Sequence, residues 1–302
     1  MRIQLTLRNK TFLFFGLIMP FGFFFLFAGV FAKGDPSKVR FLLGPVISLA
    51  VMGAFWGLSV ALVTFREQGI LRRFHVTPVT SADMLASSIV ANYVLILPTI
   101  AIELLLSKFI FHVSGFGDLF SLFTMITVGV ISFGSMGLVI ASVTNTMQET
   151  QVLNQLIWFA LIFLSGATVP LSDLPKAAQA FGVFLPATYL VWGLQDAIFL
   201  SAPIWHLWKE TLSLLGWAIL AFFVAAQLFR WEPESKIPRN AKLWAAATAL
   251  PFLLLGIWEN RAGTILLQSK AAYESIDRPG KANQPPNTPD PPAKAQPNRG
   301  PF

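Results

Sequence analysis

Glu103, in Ile100-Ala-Ile-Glu103-Leu-Leu-Leu-Ser-Lys108, is the one ionisable side chain set clearly inside a long apolar run. An acid in that setting is a default candidate for a contact with substrate or with a neighbouring helix. It lies roughly 27 Å along its helix at ~1.5 Å per residue, near the outer interface. A carboxylate there can instead snorkel to water or meet Lys108 one turn on. Other chemistry is hard to assemble. His75, His112 and His206 fall in three different loops, so no H-E-x-x-H or paired-histidine spacing exists for a metal. The chain has no cysteine, hence no disulfides, thiolate zinc sites, Fe–S clusters or cysteine nucleophiles. Ser165-Gly166 follows Leu164 and is not a G-x-S-x-G nucleophile elbow. The only Gly-Lys pair, Gly280-Lys281, is followed by Ala282, so no P-loop cradles ATP phosphates.

The densest run of usable side chains spans Phe65 to Asp83, FREQGILRRFHVTPVTSAD. At helical period Phe65, Ile70, Leu71 and Phe74 share a face, while Arg66, Arg72 and Arg73 point elsewhere. That pattern predicts a short amphipathic helix along the inner membrane surface. Pro78 ends it, with Thr77 biased away from helix, and Ser81 is the expected N-cap of the next helix with Asp83 in its first turn. Two readings stay open on physics alone: a basic interfacial anchor, or a docking element for a cytosolic partner.

The elements that must carry these residues follow from composition. Of 302 residues 55% are hydrophobic and only 12% charged, against about a quarter charged in an ordinary soluble domain. Soluble enzymes and binding modules are excluded, as is disorder of the whole chain. Apolar runs of about 20 residues predict membrane-spanning helices at Thr11–Ala32, Phe41–Thr64, Met84–Leu106, Leu119–Val143, Leu153–Val169 and Thr211–Phe229. A shorter seventh, Leu243–Trp258, holds Pro251 and also suits a re-entrant or interfacial helix. The first run is too long for a signal-peptide core. The net charge of +7 reflects basic loops rather than nucleic-acid binding. With the N-terminus inside, Arg2, Arg8, Lys10, Arg66, Arg72, Arg73, Arg230, Lys236, Arg239 and Lys242 are cytoplasmic, and they outnumber the basic residues of the outer loops. No chain of intramembrane acids supports a proton-driven pump, so any transport draws its energy from elsewhere. Pro170, Pro175 and Pro186 break the segment after the fifth span, which predicts irregular backbone: an outer gate or an interfacial loop. The Pro-rich last residues are expected to be a disordered, polyproline-like tail.

These residues resemble the ABC-2 type transporter permeases, the membrane halves of export ATPases. The pattern F-R-E-x-G-x-L-R-R-x-x-x-T-P-V at 65–79 is similar to that family's cytoplasmic loop. The stretches 164–175 (LSGATVPLSDLP) and 184–195 (FLPATYLVWGLQ) are similar to its outer Gly- and Pro-rich segment, and 6–20 to its entry into the first helix. The resemblance covers about residues 5–230. It implies an all-α polytopic fold with six transmembrane helices, here with an additional C-terminal hydrophobic helix. The expected divisions are 1–232 for the transmembrane domain, 233–260 for a basic loop and extra helix, and 261–302 for the tail.

The resemblance further implies a permease subunit, not an enzyme, in the bacterial plasma membrane with its N-terminus cytoplasmic. Its expected partners are a separate P-loop ATPase holding ATP and Mg, membrane lipid, and a second copy or homologous permease, with no nucleic acid. Arg66, Glu67, Gly69, Leu71, Arg72, Arg73 and Pro78 would form the element coupled to the ATPase. Glu103, Ser165, Gly166, Pro170 and Pro186 are candidates for the translocation path or outer gate. Few charges line that path, so the substrate class is amphipathic or lipid-like. Two other classes compete: an enzyme acting on lipid head groups through Arg66, Glu67, His75 and Asp83, and a noncatalytic assembly factor.

Overall fold

A computed structural model describes residues 19–75, 80–231, 240–263 and 267; the N-terminal part of the first expected span, Pro78 and nearly all of the tail lie outside them. The fold is all-helical, with no strand among the described residues. The helices are α1 (Met19–Leu26, continued by one π turn, Phe27–Phe31), α2 (Pro36–Met52), α3 (Ala54–Glu67), α4 (Ile70–His75), α5 (Ser81–Phe109) and α6 (Leu119–Val143). After them come α7 (Met147–Leu164), α8 (Lys176–Gly182), α9 (Pro186–Phe199), α10 (Trp208–Leu228), α11 (Ala241–Ala247) and α12 (Leu250–Ala262).

Short polar side chains start the helices and apolar runs fill them. Asp35 accepts from the Ser37 amide ahead of Pro36, Asp118 from that of Ser121, and Thr146 from that of Glu149. Such caps satisfy amides that a helix start leaves without an intrahelical partner. At α5 the cap is Thr80 rather than the expected Ser81, because Thr80 and Asp83 form a reciprocal capping box.

Among the described residues four helical rods are long and apolar enough to cross a membrane: 36–67 (α2 with α3), α5, α6 and α10; counting the pair α8–α9, bent by 87°, gives up to five. The chain is thus an integral membrane protein. The fifth expected span appears as α7, which starts earlier, at Met147, and stops at Leu164. Its first turns are polar (MQETQ), so α7 is not among the four. The seventh expected helix is two pieces, α11 and α12, with Pro251 at the second position of α12, where its missing N–H costs no helical bond.

Contacts define two ends. At one, Arg40 donates to the Ile198 carbonyl (3.1 Å) and the Asp118 amide to that of Ala197 (3.0 Å). At the other, Arg66 meets Thr144, and Ser81 reaches the Ala226 carbonyl. The rods 36–67, α6 and α10 all run from the Arg40 end to the Arg66 end, and α5 runs in the opposite direction. Helix α6 is the hub: 83% of its apolar stretch is buried, against 28% for α5 and 39% for α10, which keep an apolar face outward. Close approach to α6 requires glycine: a Cβ on Gly137 would lie 2.3 Å from the Phe55 carbonyl oxygen. Helix α9 is wedged between α2 and α6; a Cβ on Gly44 would meet the Gln195 backbone at 2.7 Å.

Candidate functional site

At the Arg66 end, α3 runs to Glu67, the chain turns at Gly69 (φ +68°), and α4 begins at Ile70. Glycine suits that turn because its left-handed conformation is costly for other residues. Leu71 is buried and seats α4 on the protein, while Arg72 is exposed. Of Arg73 only the helical backbone is described, and Pro78 lies outside the described residues.

Arg66 corrects the sequence reading. It does not point out beside Arg72; it is 3% exposed and donates to the carbonyls of Ala141 (2.9 Å) and Thr144 (2.6 Å). These carbonyls end α6, and a cation there satisfies acceptors that the helix cannot and complements its dipole. Glu67 stays exposed but reaches across to α7: its Oε1 accepts from the amide of Met147, the first residue of that helix, at 2.8 Å.

Arg230, just past α10, completes the arrangement. It donates to the same Thr144 carbonyl (2.8 Å) and to Asn145 Oδ1 (3.2 Å). Burial pushes its guanidinium below its ordinary value, and nearby Glu149 opposes that. Glu149 in turn accepts from the Asn145 amide at 2.7 Å, and the hydroxyls of Thr144 and Thr150 pair at 2.8 Å. The turn 144–146 is thus gripped by α3, α7 and the end of α10 together. Sequence reasoning counted Arg230 only as a basic loop residue and missed Thr144, Asn145 and Glu149. The available signal was a polar run, TNTMQET, between two apolar spans. A buried amide–hydroxyl pair continues the seam deeper, with Asn154 Nδ2 donating to Ser59 Oγ at 2.8 Å.

The outer candidates divide. Glu103 is fully buried, and neither carboxylate oxygen has a hydrogen-bond partner. It faces protein, not the interface, and does not pair with Lys108. The main neighbours of its helix are α2, α3, α6 and α10. Ser165, Gly166 and Pro170 lie in the irregular stretch between α7 and α8, and Pro186 lies at the corner between α8 and α9. Ser165 Oγ accepts from the Ala167 amide, Gly166 has φ +89°, Pro170 opens a single 3-10 turn (Leu171–Asp173), and Pro186 starts α9. Gly182 packs on the Leu164 carbonyl, which folds α8 back on the end of α7. Among the described residues no group of three acidic or histidine side chains could hold a metal.

These features define a polytopic helical protein whose polar contacts gather at its helix ends. The ABC-2 type transporter family matches residues 2–199, and the chain belongs to that family. It is similar to "Putative transport permease YvfS" of Bacillus subtilis, 23% identical over 242 residues, 76% of this chain and 94% of the relative. It is also similar to "ABC transporter G family member 20" of Dictyostelium discoideum, 28% identical over 198 residues, 64% of this chain and 27% of the relative. The "Probable multidrug ABC transporter permease YbhS" of Escherichia coli is 29% identical over 161 residues, 52% of this chain and 42% of the relative. This chain therefore spans less than half the length of the latter two. No solved structure matches. The chain is a non-enzymatic transport subunit, and its family implies an ATPase partner that holds the ATP.

Proposed function

We propose that this chain is the membrane-spanning permease subunit of an ATP-driven exporter, working with a separate P-loop ATPase and a second copy of itself or a homologous permease. Its Arg66 end faces the cytoplasm of a bacterial cell, and its path carries an amphipathic or lipid-like substrate. The segment 65–78 is the coupling element, with a division of labour within it. Arg66 and Glu67 hold the base to the rest of the protein, Gly69 turns the chain, Leu71 seats α4, and Arg72 and Arg73 engage acidic groups of the ATPase ahead of the stop at Pro78. Ser165, Gly166, Pro170 and Pro186 shape the outer gate, and Glu103 serves the path from within the bundle.

The observation that carries this reading is the bonding of Arg66 and Glu67 to the carbonyls and amide of residues 141–147, one turn before the exposed Arg72. A push on α4 therefore reaches α3, α6 and α7 through hydrogen bonds, without relying on a flexible loop. A pull-down of the tagged chain from native membranes in mild detergent, read by mass spectrometry, tests it. We expect a P-loop ATPase in stoichiometric amount, lost on Arg72→Glu with Arg73→Glu while the second permease copy stays. Recovery of the permease without any ATPase would sink the exporter reading. Retention of the ATPase after the double reversal would reduce the two arginines to lipid anchors.

A further inference from the structure

The family match ends at residue 199, yet α11 and α12 pack against the body of the protein. We propose that residues 241–262 cross the membrane beside α10 as one broken helix, and that the crossing braces the bent segment 176–199 at the Arg40 end. The bracing half of this proposal deepens the outer-gate reading above and rests on it; the crossing half does not.

Three pairs of contacts set the direction. Trp258 lies under the Lys209 ammonium, 5.2 Å from ring centroid to nitrogen, and Lys209 is in the first turn of α10 at the Arg40 end. Phe252 meets Trp217 edge-on at 5.3 Å, about two turns further into α10. Phe252 also packs on Tyr189 of α9 at 5.6 Å. As the number rises from 252 to 258, the partner in α10 falls from 217 to 209, so α12 runs antiparallel to α10 toward the Arg40 end. Upstream of it α11 packs on α10 and α6, continuing toward the Arg66 end, where Arg230 leaves α10. Laid along α10, residues 241–262 span about 33 Å at ~1.5 Å per residue, enough for a hydrocarbon core of ~30 Å. Each piece alone is too short, which is why the crossing does not read as a span. The break needs no water, because the Ala249 amide donates to Ala246 and the Leu253 amide to Ala249. Arg261 then ends the crossing on the Arg40 side, against the charge bias that orients short loops.

The same face of α12 meets the bent segment. Asn260 Nδ2 donates to the Ala180 carbonyl of α8 at 3.1 Å. Gly256 lies against the Phe184 ring, where an added Cβ would come within 2.2 Å of it. Phe184 and Tyr189 flank the corner between α8 and α9, so α12 touches the corner from both of its arms.

The absence of cysteine allows a direct test by single-cysteine labelling of intact cells with a membrane-impermeant maleimide. Arg261→Cys should label from the same side as Ser37→Cys, and Asn240→Cys only after permeabilisation, as Gln68→Cys does. Labelling of positions 240 and 261 from one side would overturn the crossing. For the brace, amide hydrogen exchange should quicken several-fold at residues 176–185, and not in α6, when the chain is truncated after Asn240. The double variant Asn260→Ala, Trp258→Ala should do the same in a chain whose fold is otherwise kept. Unchanged exchange in that double variant would overturn the brace while leaving the crossing and the exporter reading to their own tests.

Discussion

Glu103 and Arg66 are both buried, and the protein treats them oppositely. Arg66 finds two carbonyls; Glu103 finds none, although it sits on the least enclosed of the four long rods. A buried polar group without partners costs free energy that an apolar side chain of similar shape does not. Glu103→Leu should therefore raise stability by about 1–3 kcal/mol, read as a higher unfolding midpoint in detergent. The same variant should lower transport if the carboxylate meets substrate along the path. A lower midpoint would show that the acid has a stabilising partner in the working assembly. Both positions were legible in the sequence, Glu103 as an acid inside an apolar run and Arg66 as a charge just past one. Their orientation was not, because the period of a helix says which residues share a face and not what lies opposite that face.

At the scale of elements, the sequence marked the long rods well: the runs 41–64, 84–106, 119–143 and 211–229 all lie within or along observed helices. It marked short elements less well, since α8, α9, α11 and α12 owe their positions to packing rather than to length or period. Pro186 was read as a breaker and Pro251 as lying inside a run, whereas each stands in the first turn of a helix, and nothing in the sequence announced that α9 would wedge between α2 and α6. Glycines supply the missing information in retrospect. Gly137 lets α6 reach the Phe55 backbone, and Gly44 lets α2 reach α9. Neither clash can be relieved by rotating a side chain, because the opposing atoms are backbone. Gly137→Ala and Gly44→Ala are expected to separate their helices and cost about 1–3 kcal/mol each, as overpacking does. Gly216→Ala on α10, where nothing lies within 4 Å, is the control and should be neutral or slightly stabilising. Thermal unfolding of the three variants checks this; equal effects at 137 and 216 would mean that the α3–α6 approach is not tight.

At the scale of the whole molecule, the turn 144–146 is where α3, α6, α7 and the end of α10 meet. Arg66 and Arg230 share the Thr144 carbonyl, so each partly covers for loss of the other. Arg66→Ala and Arg230→Ala are each expected to cost about 1–3 kcal/mol, with the pair departing from additivity by roughly 0.5–3 kcal/mol. Additive losses would show that the two arginines act on separate structures. The expected functional consequence differs from that of changes at Arg72 and Arg73. On the proposed reading, reversal of Arg72 and Arg73 is expected to remove the ATPase, whereas loss of Arg66 and Arg230 is expected to leave the proposed docking face on α4 in place and to loosen what lies behind it. In reconstituted vesicles the Arg66→Ala, Arg230→Ala protein should still bind the ATPase and support ATP hydrolysis, while moving less substrate per ATP consumed. Binding lost together with transport would place Arg66 at the docking face after all. An unchanged ratio of transport to hydrolysis would mean that the push on α4 reaches the bundle by another route, with Leu71 and the apolar seat of α4 the next contacts to test.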